Sequence, residues 1–184
     1  MNQYPNAAGG LRLMFVAQIL VIVGTLLIWV PLVGPVIVIV GGVVQLLGLY
    51  KAGTDDEGYR TALLITAVNL VVSLISQFLF SNGGVMSSLL GIVGDVLGLA
   101  AIYFVCTTTS NLLHAVGEEG LSERGGTVIK IYTVCTVVSV VCSVLSVVPV
   151  LNILAALVSI VAAIALLVGY IMYLLFLNSS SKAL

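Results

Sequence analysis

ILAALVSIVAAIALLVGYIMYLLFL, from Ile153 to Leu177, contains no charged side chain and exceeds the ~20 residues a helix needs to cross a bilayer core. Its apolar residues fall on every face of a helix, which fits burial in lipid better than the surface of a globule. The rest of the chain agrees. Of its 184 residues, 61% are hydrophobic and 7% charged, and the mean hydropathy is +1.29. A soluble domain carries about a quarter of its residues as charges, so this core has no polar coat to match it.

Five more apolar runs stand out: Leu11 to Val30, Val36 to Tyr50, Thr61 to Phe80, Val85 to Cys106 and Thr127 to Val148. The predicted fold is all-α, a polytopic transmembrane bundle of about six spans in a single domain covering residues 1–184. The second run is short, and it must cross a locally thin bilayer, borrow length from Gly34 and Pro35, or dip in as a half-span. The fourth pattern continues beyond its span to Val116 through a more polar tail, expected to project from the membrane or turn along the headgroups. The run after Met1 to Gly10 is too long for a signal-peptide core and is read as a retained first span.

The connections alternate. Pro31 to Pro35, Ser81 to Gly84 and Pro149 to Asn152 are brief and uncharged, whereas Lys51 to Arg60 and Gly117 to Gly126 hold most of the charge. Three helical hairpins with uncharged tips give this pattern. Arg12, Lys51, Arg60, Arg124, Lys130 and Lys182 then all fall on one side. Short loops rich in Lys and Arg stay in the cytoplasm, so both termini are expected there, with the plasma membrane as host. A four-span layout with two re-entrant segments is the competing arrangement. A weak internal repeat aligns Gly41 to Leu49 with Gly91 to Leu99, matching Gly41 to Gly91 and Gly48 to Gly98.

Asp95 is the one charge well inside an apolar run. A carboxylate at that depth costs at least ~2.5 kcal/mol, which makes it a candidate for an ion site, a partner's anchor or a helix lock. Asn69, Ser73 and Gln77 recur along one face of the third span, and Gly91, Asp95 and Gly98 along one face of the fourth. Asp95 is therefore expected to face Asn69 or Ser73. Gly91, Gly94 and Gly98 are read as helix-packing positions, since small residues let backbones approach closely in lipid. Small-residue stripes from Thr136 to Ser146 and from Ala155 to Gly169 read the same way. Trp29, Tyr170 and Tyr173 are expected as interfacial anchors, Asp55, Asp56 and Glu57 as a solvated loop, and Cys106, Cys135 and Cys142 as small packing residues.

Several functions find no residues to carry them. There is no basic patch for nucleic acid, no phosphate-binding glycine loop and no second intramembrane Asp to pair with Asp95. The lone His114 lies past its span, and its loop carboxylates make a weak metal site. No enzyme activity, cofactor or metal is expected. Two readings remain: a non-enzymatic membrane-complex subunit or self-assembling scaffold, partnered by its own copies or another membrane protein, or a small transporter or channel with Asp95 at the permeation site.

Overall fold

A computed structural model describes residues 3–27, 29–30, 32–79, 85–145 and 152–184. These form six helices: α1 (Pro5–Leu26), α2 (Val33–Ala52), α3 (Glu57–Leu79), α4 (Val85–Ala115), α5 (Glu119–Leu145) and α6 (Asn152–Ala183). All six contain a stretch long and apolar enough to cross a membrane, and no strand occurs among the described residues. The short second run becomes a helix of 20 residues by taking in Val33, Gly34 and Pro35 at one end and Lys51 and Ala52 at the other. Pro35 sits in its first turn, where a missing N–H breaks no helical bond. Of the three uncharged tips, 81–84 and most of 149–152 lie outside the described residues.

Each helix packs on its sequence neighbours, and α6 returns to pack on α1, so the contacts close into a cycle. α1 and α2 make the closest pair. A Cβ added to Gly10 would lie 2.5 Å from the Gly48 carbonyl oxygen, and one on Gly41 would lie 3.1 Å from that of Ala17. A Cβ on Gly24 would lie 3.0 Å from that of Gly34. Gly10, Ala17 and Gly24 on α1 thus meet Gly48, Gly41 and Gly34 on α2. Both series step by seven residues in opposite directions, as two helices running antiparallel require.

The core lies at one end. It gathers Leu11 from α1, Leu49 from α2, Tyr59 from α3, Leu113 from α4, Val128 from α5 and Tyr173 from α6, all on the side of the charged loops. The polar tail of the fourth run belongs to it. α4 continues unbroken through Thr108 and Thr109, both buried, to Leu112 and Leu113. The tail does not turn aside: it continues α4, which packs against α3, α5 and α6. Towards the tips burial falls away. Only 11% of the residues in the most apolar windows of α3 and α4 are buried, against 39% in α1.

Polar bonds close the packed end. Asp55 accepts from the backbone N–H of Ala7 at 2.7 Å and from the Asn6 amide at 2.9 Å. It thereby caps α1, whose own N-cap residue, Tyr4, makes no side-chain bond. Asp56 accepts from the Gly58 N–H at 2.7 Å and caps α3. These two residues are structural caps rather than a solvated loop. Tyr59 and Thr109 bond at 2.8 Å between α3 and α4. Ser110 and Ser122 each donate to the other's carbonyl, at 2.9 and 3.0 Å, tying α4 to the start of α5.

Candidate functional site

Helical spacing places Asn69, Ser73 and Ser76 on one side of α3, and Leu90, Gly91, Gly94 and Asp95 on the facing side of α4. Together they line an open groove of about 360 Å³ in the tip-side half of the pair. Asp95 and Ser73 are exposed in the single chain, while Asn69 is half-buried. Asp95 lies about 15 Å along α4 from its tip-side start at helical rise, close to half the depth of a bilayer core. Among the described residues its carboxylate has neither a hydrogen bond nor an ion pair. Gln77 belongs to α3, but its side chain lies outside the described residues.

The glycines explain the shape of the groove. A Cβ on Gly94 would meet the Asn69 Oδ1 at 3.4 Å, one on Gly98 would meet its Nδ2 at 3.7 Å, and one on Gly91 would meet nothing within 4 Å. Gly94 and Gly98 therefore lie against the Asn69 amide at distances a Cβ would still tolerate, and Gly91 leaves open space beside Asp95. The repeat alignment does not carry over to contacts. Gly41 and Gly48 touch a neighbouring backbone, whereas the matched Gly91 and Gly98 face space or a side chain.

A second cavity lies one turn deeper. About 140 Å³ in size, it is lined by Gln18 of α1, Gln45 of α2, Thr66 and Asn69 of α3, Gly98, Ala101, Ile102 and Val105 of α4, and Tyr170 and Tyr173 of α6. Asn69 lines both spaces, so polar groups continue from the Asp95 groove into the middle of the bundle. On the far wall the Tyr170 hydroxyl donates to Gln18 Oε1 at 2.6 Å, and the Gln18 amide donates to Gln45 Oε1. On the near wall Thr66 Oγ1 and Asn69 Oδ1 are buried without a hydrogen-bond partner. An unmet acceptor in a dry interior is costly, and these two are the atoms a polar guest or a water would satisfy.

Sequence reasoning missed Gln18 and Gln45, which are the only amide side chains in the first two apolar runs. An intramembrane amide is itself a signal for a buried partner. Tyr170 and Tyr173 belong to this interior, not to a membrane interface: the first bonds to Gln18 and the second is 2% exposed within the core. Trp29, by contrast, is 90% exposed at the α1–α2 tip. The three cysteines are buried and unbridged. No known family model, curated protein or solved structure matches the chain.

Proposed function

We propose that this protein is a non-enzymatic membrane subunit that assembles with copies of itself through the tip-side face of α3 and α4. The observation that carries this reading is the unpartnered Asp95 carboxylate, exposed beside Ser73 on the least buried pair of helices. Ionisable residues at bilayer depth face a bundle interior, an aqueous cavity or a partner, because hydrocarbon solvates them poorly. The groove is self-complementary in chemistry. Ser73, Ser76 and Asn69 offer donors, and Asp95 of a second copy would accept them. In the full arrangement three hairpins place their tips on one side of the plasma membrane, with both termini and the charged loops in the cytoplasm.

A second reading has an observation of its own. The polar lining continues through Asn69 into the central cavity, as the permeation site of a small transporter or channel would.

The mass of the particle in native nanodiscs tests the first reading. A defined homo-oligomer is expected, with cross-links between copies through a cysteine placed at Ser73. A lone monomer that forms no such cross-link overturns it. Flux of protons, alkali cations and small solutes into proteoliposomes then tests the second, which fails if loaded and protein-free vesicles behave alike.

A further inference from the structure

We propose that the groove between the Arg12–Val16 stretch of α1 and the last turns of α6 binds the phosphate of an anionic phospholipid. It measures about 440 Å³ and is lined by Arg12, Phe15 and Val16 from α1 and by Asn178, Ser181 and Lys182 from α6. Arg12 and Lys182 are exposed, and neither has a hydrogen bond or ion pair among the described residues. Among the described residues no carboxylate lines the groove. Two uncommitted cations on one small concavity make a site for an anion, and a guanidinium fork matches a phosphate's paired oxygens.

The layering selects a lipid over a free ion. Phe15 and Val16 follow Arg12 at i+3 and i+4, so they share its face and lie about one turn, roughly 5 Å, closer to the membrane centre. α6 runs the opposite way, which puts Lys182 at the rim and Asn178 one turn below it. Charge therefore sits at headgroup depth with the apolar Phe15 and Val16 beneath it on the α1 side, as a phosphate carrying acyl chains requires. The Ser181 hydroxyl donates to the Asn178 carbonyl at 2.9 Å, which leaves its oxygen free to accept from a headgroup hydroxyl. The Asn178 amide remains as a donor. Lys182 also complements the negative end of the α6 dipole, but this leaves its outward N–H groups available. The site is independent of the α3–α4 face and does not rest on how the copies assemble.

Native mass spectrometry of the full chain, released from nanodiscs of phosphatidylcholine with phosphatidylglycerol, tests the proposal. Selective retention of phosphatidylglycerol is expected. Arg12→Gln or Lys182→Gln should each weaken it about fivefold, and the pair about 25-fold, since a cation near an anionic headgroup contributes about that factor. Equal retention of both lipids, or a folded double variant that retains phosphatidylglycerol unchanged, overturns the site. Should the double variant fail to fold, the unaltered protein decides. Its retention of phosphatidylglycerol must fall with added salt, and salt-insensitive retention overturns the site. Inorganic phosphate that displaces the lipid at equal concentration would assign the groove to a free ion and overturn the lipid reading.

Discussion

Asp95 has one property that separates the two functional readings: its shape and its charge can be removed independently. Asp95→Asn keeps the hydrogen-bonding outline and loses the anion, whereas Asp95→Leu loses both. If the residue anchors an interface, the Asn variant should keep its particle mass and stay within about 1 kcal/mol of the parent. The Leu variant should shift to smaller species in native mass spectrometry. An Asn variant with normal mass but abolished solute flux would mean that the charge acts in permeation. Gly117 raises a question of backbone only. It ends α4 at φ +85°, with the following N–H of Glu118 donating back to Leu113 at 2.9 Å, and an added Cβ would meet nothing within 4 Å. Gly117→Ala should therefore lower stability by about 1 kcal/mol through conformation alone, seen as a fall in melting temperature in detergent.

Among the elements, α1 and α2 are joined by backbone and α3 and α4 by side chains. The heptad-spaced small residues bring Gly10 against Gly48, so Gly48→Leu must push the two helices apart. A loss of at least about 2 kcal/mol is expected, measured by thermal unfolding in detergent. Gly126→Ala, on a helix side where nothing lies within 4 Å, should be neutral or slightly stabilising because Ala favours helix by up to about 1 kcal/mol. Equal losses in the two variants would show that contact distance does not set the effect. The seven-residue spacing from Gly10 to Gly24 and from Gly34 to Gly48 is present in the sequence but escapes a reading of the apolar runs, since Gly10 and Gly34 lie outside them. Its pairing was not readable either, because glycine-rich apolar runs match one another in many registers and only the packed helices show which backbones touch.

For the whole molecule, the uneven core is the dominant feature. Six helices converge on Leu113, Tyr173 and their neighbours at the charged-loop end, where Asp55 and Asp56 cap two helix starts. The tip-side half of the α3–α4 pair is sparsely buried. Amide hydrogen exchange of the solubilised single chain should show this directly, since local opening follows burial. Residues 105–113 of α4 are expected to exchange much more slowly than residues 89–96 of the same helix. Assembly through the α3–α4 face should slow the second segment and leave the first unchanged. Uniform exchange along α4 would contradict the uneven core.

Composition and the length of the apolar runs determine that this chain is a membrane-spanning helical protein, because a chain with so few charges cannot coat itself for water. Helical periodicity also determines that Asn69 and Ser73 share one side of their helix and Gly91, Gly94 and Asp95 one side of theirs, since spacing fixes a residue's angle about its own axis. Periodicity does not fix how far a helix tilts or which distant helix lies opposite. The Gln18–Gln45–Tyr170 network, the capping of α1 by Asp55 and the pairing of Arg12 with Lys182 across one groove were decided only by tertiary structure. Each joins residues from separate elements, and in an apolar chain of nearly interchangeable helices only three-dimensional packing chooses the partners.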